Sequence, residues 1–189
     1  MSNRFFKTTF TPAVQDEQRQ HGSYAVYTKH LADDGSEYAA ILSNSETALI
    51  EARDSFYIAT VSETGWPYVQ HRGGPIGFVR VLDAQSLAWI DFVGNRQYIS
   101  IGNSARCDRV ALIFVDYPNR MRLKILGRLS CLEASERPDL VRDLRVPGYH
   151  ARPEHIIRIA VEAFDWNCPQ HITPRYTLAE IGAGFAKPA

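Results

Sequence analysis

The alternation of apolar and polar positions changes character near residue 54. Before it, apolar residues are sparse and come in short helical groups. Residues 12–19 suit a short helix with Pro12 near its first position, and residues 45–52 a better one, with Ser43 or Ser45 as its cap. The stretch between them, with Gly22 and Asp33–Asp34–Gly35, reads as looser chain. From Ser55 onward the pattern is that of strands. Residues 56–61 are aromatic and β-branched, Glu63–Thr64–Gly65 supplies a turn, and residues 66–71 return as the second arm of a hairpin. Further strands are expected at 76–82, 87–91, 109–116 and 123–132, the last alternating in part. Residues 135–145 read as a surface helix stopped by Pro147–Gly148. Residues 156–164 read as a final strand with helix as the alternative. Six or more strands joined by hairpin turns, with few helices, predict an antiparallel barrel with peripheral helices.

Composition adds bounds. The 189 residues suffice for one well-buried core, and no repeat or linker marks a second domain. Lys+Arg and Asp+Glu both number 21, which argues against a nucleic-acid binder with a broad basic face. No apolar run reaches the roughly 18 residues a membrane span needs, and the first residues carry no secretory signal. Three widely spaced cysteines, Cys107, Cys131 and Cys168, form no CxxC pair and point to reduced thiols and a cytoplasmic protein.

The chemistry gathers around residues 89–103, WIDFVGNRQYISIGN. A buried strand passes through Gly94–Asn95 into a short helix, with Arg96 and Gln97 expected in its first turn and Asn103 near its end. Free N–H groups, a helix dipole and a guanidinium converging there make a place for a phosphate. Taken alone, the same residues suit a solvated helix cap better, because short motifs match by accident. Gly73–Gly74 lets backbone approach a flat ligand, or marks a bulge that curls the barrel. Cys168 and His171, three apart, suggest a nucleophile pair or half a metal site, but no second ligand pair accompanies them, so no metal is expected.

Three segments in order, residues 65–75 (GWPYVQHRGGP), 91–98 (DFVGNRQY) and 109–112 (RVAL), resemble the FMN-binding split barrels related to pyridoxamine 5′-phosphate oxidase, and among them the small flavin-nucleotide-binding members. The resemblance runs from about residue 54 to 174. It implies a six-stranded split β-barrel, mainly β within the α+β class, as residues 54–189. Residues 1–53 would be a helical extension packed on it, within one domain overall. It implies a homodimer with FMN at the subunit interface, and a flavin-dependent oxidoreductase acting on a small organic substrate, with NAD(P)H as a possible electron donor.

The resemblance also assigns residues. Asn95, Arg96 and Gln97 stand on the family's phosphate turn, where Gln97 replaces a lysine. Gln70 replaces a phosphate arginine, and Arg72, on the same side of its strand, can compensate. Asp91 stands where the vitamin oxidase has threonine. Gln70, His71, Arg72, Gly73, Gly74 and Asp91 are thus cofactor-site candidates. Arg122 falls at a glutamine position that reaches the partner's flavin, or lies on a solvated strand face. Trp166 leads the substrate segment and reads first as a core or dimer-interface aromatic. His171 takes the place of a substrate arginine and is the catalytic candidate. These departures argue against pyridoxamine phosphate as substrate. Two alternatives share the motifs: a flavin carrier or redox sensor without turnover, and a haem-binding split barrel with His71, His150, His155 or His171 as axial ligand.

Overall fold

The computed structural model describes residues 3–31 and 40–182, so the expected turn at Asp33–Asp34–Gly35 lies outside the described residues. The elements are α1 (Asn3–Thr9), α2 (Pro12–Gln20), α3 (Tyr24–Leu31), α4 (Asn44–Glu51), β1 (Ser55–Val61), β2 (Pro67–Gly73), β3 (Val79–Asp83), β4 (Ser86–Phe92), α5 (Ile99–Ser104), β5 (Arg109–Asp116), β6 (Met121–Glu133), α6 (Pro138–Leu144), β7 (Pro153–Trp166) and α7 (Leu178–Gly182). Every strand-like segment forms a strand, so among the described residues the sheet holds seven rather than six. All pairings are antiparallel, in the order β2-β1-β5-β6-β7-β4-β3. The ambiguous last segment is a strand of 14 residues, paired with β6 on one side and β4 on the other. The expected helix over 135–145 is divided into a 3₁₀ turn at Ala134–Glu136 and α6. Pro138, which lacks an N–H, sits at the first position of α6 and starts a new helix there.

The sheet is rolled. Phe56 on β1 meets Phe114 on the adjacent β5 at 4.9 Å, but also Trp89 on β4 at 5.0 Å and Phe78 before β3 at 5.9 Å. Strands β5, β6 and β7 lie between β1 and β4 in the sheet order, so these rings can meet only if the inner face is concave. Alternation fills that face: Phe56, Ile58 and Thr60 of β1 and Val110, Leu112 and Phe114 of β5 are buried. Where β6 crosses β7, a Cβ on Gly127 would lie 2.5 Å from the Ala160 carbonyl oxygen, and the pairing register shifts at that point. Only glycine admits that approach.

The split between the free ends of the sheet is bridged by charge. Arg72 on β2 donates from Nη1 to Asp91 Oδ1 on β4 at 2.6 Å, although β1, β5, β6 and β7 separate these strands in the sheet. Gly74, just past β2, packs on Phe78, which a Cβ would approach to 2.7 Å. Outside the barrel, α4 is capped by Ser43 and Glu46 in a reciprocal box, and Glu46 also accepts from the Trp166 indole at 2.6 Å. Phe5 and Phe6 of α1 pack against Ala163 and Leu126. Among the described residues no helix is long and apolar enough to cross a membrane.

Candidate functional site

The chain leaves β4 at Phe92 and reaches α5 through residues 93–98, which are irregular. Arg96 and Gln97 therefore precede the helix instead of opening it. The reason lies in the backbone: Arg96 (φ 57°) and Tyr98 (φ 51°) both take the left-handed conformation, which cannot continue a right-handed turn. Such conformations cost about 1–3 kcal/mol each for non-glycine residues and persist only where neighbours hold them. The Asn95 carboxamide accepts from the Gln97 N–H at 3.3 Å. Ser100 donates to Gln70 Oε1 on β2, and Asn103 donates to Thr60 on β1, both at 2.9 Å. Helix α5 is thereby pinned over the barrel mouth.

Between this loop, the inward side of β2 and the start of β7 lies a cavity of about 50 Å³. Of the residues singled out from the sequence, Gln70, Arg72, Asp91, Asn95, Arg96 and Gln97 line it together. Tyr68, Tyr98 and Glu154 complete the polar wall. Their only sequence signals were the inward parity of Tyr68 with Gln70 and the loop position of Tyr98; nothing marked Glu154. Two arginines face two carboxylates. Arg72 is held by Asp91, while Arg96, 59% exposed, makes only a loose 3.9 Å contact with Glu154. Tyr98 donates its hydroxyl to the same Glu154 Oε1 at 2.8 Å. Burial pushes the Asp91 carboxyl above its ordinary range, and Arg72 and His155 offset this only in part.

The remaining candidates lie elsewhere. His71 alternates to the outer side of β2 and meets Tyr57 edge-on at 5.4 Å. The Gly73–Gly74 backbone is explained locally, by Asp54 and His71 around Gly73 and by Phe78 against Gly74. Trp166 packs on the core with its N–H committed to Glu46. Arg122 and His171 line a separate outer hollow of about 440 Å³ with Tyr57, Tyr117 and Arg175. Arg122 Nη2 donates to the Cys168 carbonyl at 3.0 Å, fixing the C-terminal segment, and Arg175 stacks on Tyr117 at 4.9 Å. Residues 167–177 form no helix, as Pro169 and Pro174 require. Among the described residues no three His, Cys, Asp or Glu side chains are placed to hold a metal ion.

The family model for pyridoxamine 5′-phosphate oxidase matches residues 44–166. The chain belongs to this family. Its fold is similar to that of HupZ from Group A Streptococcus, with 15% identity over 72% of this chain and 100% of that one and a TM-score of 0.53. It is also similar to a protein from Lactobacillus delbrueckii proposed to be a pyridoxamine 5′-phosphate oxidase, with 18% identity over 68% and 96% of the two chains and a TM-score of 0.52. No curated protein matches the chain. Both structural likenesses concern the fold. The family's match covers every strand of the barrel and leaves α1, α2 and α3 outside it.

The small cavity fits the phosphate of a flavin nucleotide in its donors. The Arg96 guanidinium is largely free, the Arg72 Nε is buried with no hydrogen-bond partner among the described residues, and Gln70 and Gln97 bring amides. Its volume of about 50 Å³ suits a phosphate-sized group.

Proposed function

We propose that this protein binds FMN and acts as a flavin-dependent oxidoreductase on a small organic substrate other than pyridoxamine phosphate. The observation that carries the reading is the phosphate-sized cavity of a pyridoxamine 5′-phosphate oxidase family barrel, with Arg96 exposed on a strained turn at its mouth. Arg96, Gln70 and the orphaned Arg72 Nε would hold the phosphate. Bound flavin would supply hydride and single-electron chemistry that the side chains lack.

The site is proposed to be shared by two copies of the chain. Gln70 and Arg72 point into the barrel, whereas His71, Tyr57, Arg122 and His171 belong to its outer side. That outer side is apolar: Val69, Tyr57, Ala111, Ile113 and Leu126 surround a hollow of about 250 Å³, and Val69 is 62% exposed. Contiguous apolar surface of this kind is covered in stable proteins, and a second barrel is the occupant proposed here. The outer hollow gathers Arg122, Arg175 and His171 without a carboxylate in its lining, which suits an anionic substrate. There the His171 imidazole would donate a hydrogen bond to the substrate or pass the proton that accompanies hydride transfer. Three free cysteines support a cytoplasmic setting.

Arg96→Ala tests the phosphate assignment. A charge-assisted guanidinium–phosphate contact contributes about 1.5–3 kcal/mol. The variant is therefore expected to bind FMN about tenfold to a hundredfold more weakly while its riboflavin affinity stays unchanged. Equal losses for both ligands in a fluorescence titration would show that Arg96 only shapes the turn.

A further inference from the structure

Each arginine of the cavity faces a carboxylate. The two matches differ in kind. Arg72–Asp91 is short, at 2.6 Å, largely buried, and ties β2 to β4 across the split, so it belongs to the fold. Arg96–Glu154 is long, at 3.9 Å, and its arginine is mostly in solvent while Glu154 is only 19% exposed. Glu154 sits at the start of β7, where the register with β4 shifts, and its Oε1 accepts from the Tyr98 hydroxyl at 2.8 Å. One carboxylate oxygen thus takes two contacts, from Tyr98 and Arg96, that an anionic ligand oxygen at the loop would otherwise take.

We propose that Glu154 is a specificity-determining residue of this site: an internal carboxylate that stands in for a phosphate on Arg96 and Tyr98 and must be displaced, or face like charge, when a phosphate binds. The inference rests on the phosphate reading of the cavity. An exposed ion pair at 3.9 Å is worth little, so Arg96 is free to leave Glu154 for a better partner. Glu154 itself is less free, because it accepts from Tyr98 and is half-buried. A bound phosphate would lie beside a retained negative charge, and unit charges a few ångströms apart at a protein surface repel appreciably. The loss of cationic positions at Gln70 and Gln97 acts in the same direction. Together they make this a weak, salt-sensitive phosphate site whose affinity is held down by one residue, and that residue lies 58 positions beyond Arg96 in the chain.

Glu154→Gln removes the charge while keeping an oxygen to accept from Tyr98. Affinities for FMN and riboflavin are measured by flavin fluorescence for the wild type and for Glu154→Gln. Stabilisation by inorganic phosphate is measured by thermal melting of the same proteins, at low and high salt. The variant is expected to bind FMN on the order of tenfold more tightly, with riboflavin unchanged. It should also gain more from inorganic phosphate than the wild type, and both gains should shrink as salt rises. Unchanged or weaker FMN binding, or equal tightening of FMN and riboflavin, would overturn the role of Glu154. If neither protein binds flavin, the flavin reading fails, and the phosphate melts still decide: a larger phosphate shift in the variant upholds the gating role and equal shifts refute it. Glu154→Ala provides a second variant should the glutamine protein fold poorly.

Discussion

Phe56→Ala is expected to lower the stability of the chain by about 3–5 kcal/mol, the range for deleting a large aromatic side chain from a packed core. Phe56 is 1% exposed and its ring meets those of Phe78, Trp89 and Phe114. These partners come from the stretch before β3, from β4 and from β5, so the cavity would open where the two ends of the rolled sheet face each other. Neighbours on a sheet cannot collapse into such a space without changing its curvature, which places the cost toward the upper end. For a domain of this length the melting temperature should fall by roughly 6–20 °C. Urea unfolding of both proteins measures the loss. A difference below about 1 kcal/mol would mean that the rings do not hold the roll closed.

The second large effect is expected at Glu46. Its carboxylate is 5% exposed and accepts from the Ser43 N–H at 2.8 Å, the Ser43 hydroxyl at 2.5 Å and the Trp166 indole at 2.6 Å. One side chain therefore closes the cap of α4 and ties that helix to the end of β7. Glu46→Ala leaves the indole N–H and the Ser43 N–H without their acceptor, and a loss of about 2–4 kcal/mol is expected. Burial alone would push this carboxyl up, but the donors from Ser43 and Trp166 outweigh it and hold the carboxyl below its ordinary value. A carboxyl lowered in the folded state contributes stability above its unfolded pKa of about 4.3 and loses it as pH falls through the folded value. Glu46→Gln lacks that dependence, so its stability deficit should shrink as the pH is taken below about 4. A deficit independent of pH would place the contribution of Glu46 in packing rather than in charge.

What was legible in the sequence was local. The cap of α4 shows as Ser43 followed three residues later by Glu46, and α2 shows through Pro12 at its start. The strands show through alternation and β-branched content, because one face of each is buried against a common core. Helices α1 and α3 were not legible: Phe5 and Phe6 of α1 take part of their burial from Ala163 and Leu126, far along the chain. The turn between β4 and α5 was placed correctly, but the start of the helix was not. The left-handed backbone of Arg96 and Tyr98 carries no local signature in the residue types. The pairing of Arg72 with Asp91, 19 residues apart, follows from closure of the sheet, and so does the arrival of Glu154 at the cavity. Pairings of that kind depend on how the sheet rolls, which residue types alone do not encode.

Sedimentation velocity of the purified protein mixed with FMN, followed at both protein and flavin absorbance, tests the central proposal most directly. The expected result is flavin absorbance sedimenting with the protein at the mass of two chains, with one FMN per chain. Protein that sediments without flavin, or a monomer carrying a full complement of FMN, would contradict a flavin site shared between two copies of this barrel.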